Sequence, residues 1–142
     1  MEQFEIKDDS GTSLVFHDPQ FGEDGFFESY HVRLENDVLK ADIEIDGRRY
    51  MNLNTGEEEF FAKLAKEWRG WLGQKTFETL EHDLQLIAVS DHTGHVKIQV
   101  RLTKFWPNET IVSTSLTVYA GQLDDIARDA RKFFTRRASP SL

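Results

Sequence analysis

A strict alternation of apolar and polar residues is the feature that most limits how this 142-residue chain can fold. Between residues 39 and 46, an apolar side chain at every odd position alternates with a charged side chain at every even position. Residues 30–34 and 96–102 show the same period of two. That period places apolar side chains on one face of a β-strand and polar side chains on the other. The pattern predicts strands with one buried face.

Further strand-like segments lie at residues 4–7, 13–17, 76–80, 84–90 and 111–119. Turn-forming residues separate neighbouring strands, and connections of this length join antiparallel strands but are too short for parallel crossovers. The sequence therefore predicts an α+β fold, in which an antiparallel sheet of about six to seven strands packs against two α-helices.

Two segments carry the helical signals. Thr55 and Glu58 fit a capping box, acidic residues 57–59 suit the start of a helix, and Gly70 and Gly73 are expected to end it. The second helix is expected to begin after Gly121. One core should bury residues from both helices and from the strands, namely Leu39, Ile43, Leu64, Trp68, Leu86, Ile98, Val100, Leu116, Ile126 and Phe133.

The length fits a single domain over residues 1–142. Residues 1–27 are expected to be irregular with short strands, residues 18–25 to form a surface loop, and residues 139–142 to be a frayed tail. The chain has no cysteine, which excludes disulfides and thiolate metal sites. Its apolar runs are far shorter than the roughly 20 residues of a membrane helix, and its first residues do not resemble a signal peptide. A soluble, cytoplasmic protein without membrane contact is expected.

Negative charge is concentrated in the first part of the chain. Residues 1–60 contain 16 Asp and Glu against 5 Lys and Arg, whereas the formal net charge of the whole chain is −8. Such a balance disfavours nucleic-acid binding, because phosphate backbones are repelled. Asp42, Glu44 and Asp46 share one strand face and are candidate contacts for a basic protein partner. The alternative is that the acidic residues only keep the protein soluble.

Tryptophan side chains supply a second candidate surface. Trp71 lies near the end of the first helix and Trp106 lies in a turn. Tryptophan is enriched among the residues that dominate binding energy in protein interfaces. If exposed, Trp71 and Trp106 are expected to contact a partner, and otherwise they belong to the core.

The sequence contains few residue patterns that are typical of a catalytic site. His82, His92 and His95 invite comparison with a metal or hydrolase site, but residues three apart in a turn point in different directions. The sequence has no G-x-S-x-G elbow and no phosphate-binding glycine loop. We expect no catalytic residues, no metal and no cofactor, and keep a small hydrolase or ligand-binding enzyme that uses these histidines as an alternative.

Residues 57–134 resemble the WapI-type bacterial immunity proteins and a related bacterial domain family of unknown function. The resemblance rests on the motifs W-x-G at Trp68-Arg69-Gly70, G-H-V at Gly94-His95-Val96 and G-Q-L at Gly121-Gln122-Leu123. The immunity proteins tend to carry an acidic residue where this chain has Gly121, as the uncharacterised relatives do. The resemblance implies a non-catalytic protein-binding domain that neutralises a cognate bacterial toxin. A housekeeping or scaffold role is the alternative that it leaves open.

Overall fold

The computed structural model describes residues 2–23, 27–48 and 56–135. In chain order it contains β1 (Gln3–Lys7), β2 (Ser13–Phe21), β3 (Phe27–Glu35), β4 (Lys40–Asp46), α1 (Glu57–Lys66), β5 (Gln74–Glu78), β6 (Leu84–Ser90), β7 (His95–Lys104), β8 (Thr110–Tyr119), a 3₁₀ turn (Ala120–Gln122) and α2 (Leu123–Phe134). The expected α+β class, with antiparallel strands and two helices, is confirmed.

The strands form two sheets, so the expectation of one sheet with six to seven strands is wrong. Sheet A has the order β1-β2-β3-β4 and sheet B has the order β5-β6-β7-β8, with every neighbouring pair antiparallel. Helix α1 separates the two groups of strands along the chain. Alternation shows which side of a strand is buried, but it carries no information on whether β4 and β5 pair with each other.

Strand β2 is longer than the sequence pattern predicts. It continues through Asp18 and Pro19 to Phe21, where a surface loop was expected. Pro19 is tolerated because β1 pairs with β2 only as far as His17, so the rest of β2 hydrogen-bonds to β3 alone. The register shifts between His17 and Gln20, and Asp18 has a φ of 51°. These features describe a β-bulge at Asp18 and Pro19.

The core is one continuous cluster of apolar side chains from both sheets and both helices. On sheet A, Phe16 stacks on Phe4 with ring centroids 5.3 Å apart and meets Phe134 of α2 edge to face at 5.2 Å. On the other side of the core, Phe60 of α1 lies 6.3 Å from Phe77 of sheet B. The helices therefore cover the inner faces of the sheets and leave the polar outer face of sheet A on the surface.

Seven of the ten expected core residues are buried, whereas Leu39 and Ile43 are half-buried. The expectation that Trp68 is buried is wrong, because 52% of its surface is exposed. Helix α1 ends at Lys66, earlier than the expected stop at Gly70, so Trp68 no longer follows the helical stripe. The Arg69 guanidinium lies 5.1 Å from the centroid of the Trp68 ring.

Aspartate side chains join the two sheets at both edges. In the turn between β1 and β2, Asp8 accepts a hydrogen bond from the backbone N–H of Thr117 at 3.1 Å. At the opposite edge, Asp83 of the turn between β5 and β6 accepts the backbone N–H of Asp46 at 2.9 Å. Each carboxylate satisfies an edge-strand donor that lacks a strand neighbour.

Helix α2 begins after Gly121, as expected, and the first turn of α1 carries the acidic run at 57–59. Gly56 precedes α1, and the expected capping residue Thr55 lies outside the described residues, as does the tail at 139–142. Within the described ranges, no helix combines the length and the apolar character needed to cross a membrane.

Candidate functional site

The outer face of sheet A carries most of the candidate residues. Asp42, Glu44 and Asp46 alternate with the inward-facing residues of β4, so they share this face as the sequence predicts. They differ in their surroundings. Glu44 is exposed, Asp46 is hydrogen-bonded to Arg48 at 2.6 Å, and Asp42 is held by two histidines.

His17 and His31 meet Asp42 at the centre of this face. They occupy paired positions on β2 and β3, and their ring centroids are 5.3 Å apart. Asp42 binds the Nε2 atom of His17 at 2.8 Å through one carboxylate oxygen and the Nδ1 atom of His31 at 3.2 Å through the other. The ligand atoms of the three residues all lie within 4.8 Å of one another, an arrangement that could hold a metal ion.

An acidic groove of about 380 Å³ opens beside this cluster, where the end of β4 meets the turn between β5 and β6. The residues that line the acidic groove are Glu28, Ser29, Glu44, Asp46, Arg48 and Asp83. Four of these six residues are carboxylates and one is a cation. The groove therefore presents a net negative surface.

Arg48 fixes the ionisation of Asp46 in the acidic groove. Hydrogen bonds from the Arg48 guanidinium hold the pKa of Asp46 below its usual value, against the opposing effect of partial burial. The same contact raises the pKa of Arg48. Both groups are therefore ionised at neutral pH, and the net charge of the groove comes from Glu28, Glu44 and Asp83.

An exposed aromatic turn lies near the acidic groove. Trp106, at the tip of the hairpin between β7 and β8, is 80% exposed, and Phe105 and Ile111 beside it are also exposed. Thr103 at the base of this turn donates its backbone N–H to the carbonyl oxygen of Asp83 at 3.0 Å. Three residues span about 10 Å at most, so Trp106 lies at the same end of sheet B as Asp83 of the groove wall.

Trp71 does not lie on the surface. It is only 7% exposed and belongs to the core cluster, where the Nζ atom of Lys75 is 5.4 Å from its ring centroid. Its predicted role as a partner contact required exposure and is therefore dropped. Of the two tryptophans singled out from the sequence, Trp106 alone has the exposure that the prediction requires.

The three histidines of the enzyme alternative do not come together. His82 lies in the turn before β6, and His92 lies in the turn after it, so a seven-residue strand of roughly 20 Å separates them. His82 pairs with Glu78 at 3.0 Å, and His95 pairs with Asp91 at 2.9 Å.

The low pKa of Asp91 is explained by its place in a turn. The backbone N–H of Thr93 is the largest influence lowering its pKa, and further hydrogen bonds from Thr93 and His95 bring the value to about 2. Because these donors belong to the turn between β6 and β7, the ionised carboxylate stabilises that turn. It has the features of a turn residue rather than of a catalytic acid.

Sequence reasoning missed His17, His31 and Asp83. The two histidines occupy outward positions in alternating strands, but only the register of β2, β3 and β4 shows that they meet. Asp83 joins the groove through the contact between the sheets, which no local pattern reports. A search for histidines at polar positions of neighbouring strands would have found His17 and His31.

The match to a family model covers residues 5–137, which includes both helices and all the strands except the first two residues of β1. No curated protein and no solved structure matches the chain. The model carries the description "Family of unknown function (DUF6228)" and spans nearly the whole sequence. This protein belongs to the family of unknown function DUF6228.

Proposed function

We propose that this protein is a non-catalytic domain that binds a basic protein through the acidic groove, with Trp106 as an anchor beside it. The observation that carries the proposal is an 80%-exposed tryptophan at the same end of sheet B as Asp83, which lines an open groove with a surplus of carboxylates. Exposed aromatic side chains and complementary charge are two separate contributors to protein recognition.

The groove supplies attraction over a distance. Glu28 and Glu44 are exposed, and the contact of Glu44 with His31 Nε2 is as long as 3.9 Å, so both charges face solvent. Such a surface raises the rate at which a basic partner associates, and the effect fades as salt screens charges beyond about 10 Å at 0.1 M.

The aromatic turn supplies contact area. Phe105, Trp106 and Ile111 lie together at one end of sheet B and are exposed rather than packed in the core. Burying an exposed tryptophan in an interface removes apolar surface from water and slows dissociation. The acidic groove and the aromatic turn are thus expected to affect different rate constants.

The specific form of the proposal is an immunity protein that neutralises a bacterial toxin. The resemblance of residues 57–134 to WapI-type immunity proteins supports it, as does the acidic groove, because toxin domains that act on nucleic acids are often basic. An immunity protein needs a binding surface and no catalytic centre of its own. His82 and His92, which the enzyme alternative combines, lie at opposite ends of β6.

The probes for the test are the basic domains encoded by genes next to this one. Each is co-expressed with this protein in a bacterial host, and protection of growth identifies the cognate pair. Association and dissociation rates of that pair are then measured by surface plasmon resonance at low and high NaCl. We expect the association rate to fall several-fold as the salt concentration rises.

Two matched pairs of variants separate the contributions. Glu28→Gln with Glu44→Gln should slow association, whereas Glu5→Gln with Asp124→Asn removes the same charge from exposed sites outside the groove and should not. Trp106→Ala should speed dissociation, whereas Trp68→Ala at the other end of sheet B should leave it unchanged. Equal effects within each pair, or toxicity unrelieved by co-expression, would contradict the proposal.

A further inference from the structure

We propose that His17, His31 and Asp42 form a binding site for a first-row divalent transition metal ion, with Zn²⁺ as the representative ion. This inference concerns the chain by itself and does not depend on the protein partner proposed above. It also changes the expectation from sequence, which considered only His82, His92 and His95 and foresaw no metal. Three features support this site: the geometry of the three ligands, the carboxylates behind the rings and the surrounding charge.

The three ligands already converge. Ligand atoms about 2.0–2.1 Å from a tetrahedral zinc ion are about 3.3 Å from one another. The contacts of Asp42 with His17 and His31 measure 2.8 and 3.2 Å, and no pair of ligand atoms in the cluster exceeds 4.8 Å. A small rotation of the two rings would close the site, leaving a fourth position for water.

The second feature is a carboxylate behind each imidazole. The far nitrogen of His17, Nδ1, lies 3.5 Å from Asp18, and the far nitrogen of His31, Nε2, lies 3.9 Å from Glu44. Histidine ligands commonly donate this second N–H to a carboxylate, which fixes the tautomer and makes the metal-facing nitrogen a better ligand. Each ring here has a carboxylate on its far side, and both contacts would have to shorten to become hydrogen bonds when the metal binds.

The bulge in β2 explains how Asp18 reaches that position. Asp18 directly follows His17 and has the left-handed φ of 51°, so its side chain does not alternate to the opposite face as in a regular strand. Bulges often redirect a side chain next to a functional site. The bulge thus gives the longer-than-expected β2 a role in the site.

Metal binding requires a change of tautomer in His17 and His31 but no net change in their protonation. Each ring in the structure contacts Asp42 through the nitrogen that would bind the metal, so a neutral ring that donates there must change tautomer. In His17 the proton leaves Nε2 and the ring is protonated at Nδ1, which faces Asp18. In His31 the proton leaves Nδ1 and the ring is protonated at Nε2, which faces Glu44. No redox step or other reactant is involved.

Charge and ligand type narrow the class of ion. Two imidazoles and one carboxylate suit zinc, nickel, copper, cobalt or iron, whereas magnesium and calcium prefer oxygen ligands alone. Arg33 opposes binding, because its Nη1 atom lies 4.0 Å from Asp42. The carboxylates of Asp18, Asp42 and Glu44 outnumber this one cation around the site.

The test is titration calorimetry of the untagged chain, stripped of metal by a chelator, with ZnCl₂ and with MgCl₂. We expect one Zn²⁺ per chain at micromolar affinity and no response to Mg²⁺. His31→Asn and Asp42→Asn, checked for unchanged circular dichroism, should each weaken Zn²⁺ binding by about 100-fold or more. His82→Asn removes a histidine that also pairs with a carboxylate and should change nothing.

The carboxylates behind the rings give a second, independent test. Glu44→Gln should weaken Zn²⁺ binding about 10–100-fold, the usual effect of removing such a group. Glu28→Gln removes the same charge from the acidic groove without touching a histidine and should have little effect. Arg33→Gln should tighten binding. Absence of saturable Zn²⁺ binding, or equal binding by the wild type and His31→Asn, would overturn the proposal.

Discussion

The side chain of Asp83 joins the two sheets, and its removal tests the two-sheet arrangement directly. One carboxylate oxygen accepts the backbone N–H of Asp46 at 2.9 Å, and the other accepts the hydroxyl of the buried Thr79. Asp83→Ala removes both acceptors, so the N–H of Asp46 loses its partner and the hydroxyl of Thr79 keeps only the longer contact with the carbonyl oxygen of Leu84 at 3.4 Å. If β4 and β5 instead paired within one sheet, the N–H of Asp46 would not depend on Asp83.

A hydrogen bond to a charged group contributes about 1.5–3 kcal/mol, and two bonds lost from one side chain do not add fully. We therefore expect Asp83→Ala to lower the free energy of unfolding by about 2–4 kcal/mol. At roughly 4 °C per kcal/mol for a domain of this size, the melting temperature should fall by about 8–16 °C.

Asp83→Asn is the matched control. The amide has the same shape, its oxygen can accept from Asp46, and its NH₂ group can donate to the hydroxyl oxygen of Thr79. Because neutral hydrogen bonds are about half as strong, the loss should be only about 1 kcal/mol. Chemical denaturation gives these values, and amide hydrogen exchange at Asp46 reports the cross-sheet bond itself. A loss below about 0.5 kcal/mol in Asp83→Ala, with Asp46 still protected, would refute the reasoning.

Three further predictions follow from single residues. Ile98→Ala, at a fully buried position of sheet B, should cost about 2–5 kcal/mol in urea denaturation. Partial burial raises the pKa of Asp8, but hydrogen bonds from Ser10, Thr117 and Thr12 outweigh it, so the pKa in the folded protein is below 3.8. The ionised side chain therefore stabilises the fold above about pH 4, and this contribution is lost as the pH falls below about 3.8. In Asp8→Asn, the melting temperature should depend less on pH in this acid range. Gly70→Ala should cost about 1–3 kcal/mol, because φ is 121°, whereas Gly121→Ala should be nearly neutral by thermal denaturation, since no atom lies within 4 Å of its added Cβ.

Local patterns in the sequence predict the strands and helices well, because each depends on a short-range period. The alternation around Ile98 and Ile43 identifies the faces of β7 and β4, and this holds whichever strands are neighbours. The division into two sheets depends on contacts between distant segments, such as Asp83 with Asp46, and no period reports them. Trp68 shows the same limit, since a helix that stops one turn early exposes a residue placed inside by its spacing.

The candidate site was predicted in part for the same reason. Asp42, Glu44 and Asp46 are correctly placed together because they belong to one strand. His17 and His31 were missed because their meeting with Asp42 depends on the register of three strands, and because the turn-like residues Asp18 and Pro19 concealed the continuation of β2. A sequence that favours a turn can be held in a strand when the neighbouring strand accommodates a bulge.

The position of Phe133 and Phe134 determines how late in synthesis the apolar face of sheet A can be fully covered. Both rings, at the end of α2, pack against the aromatic face of sheet A, including Phe16 and Phe27. Sheet A is translated first and Phe61 of α1 can cover part of its apolar face early, but the part that Phe133 and Phe134 cover stays open until the 88 residues from 47 to 134 have been made. The nascent chain therefore carries an open aromatic surface until α2 has been made, and surfaces of this kind are the ones that chaperones shield.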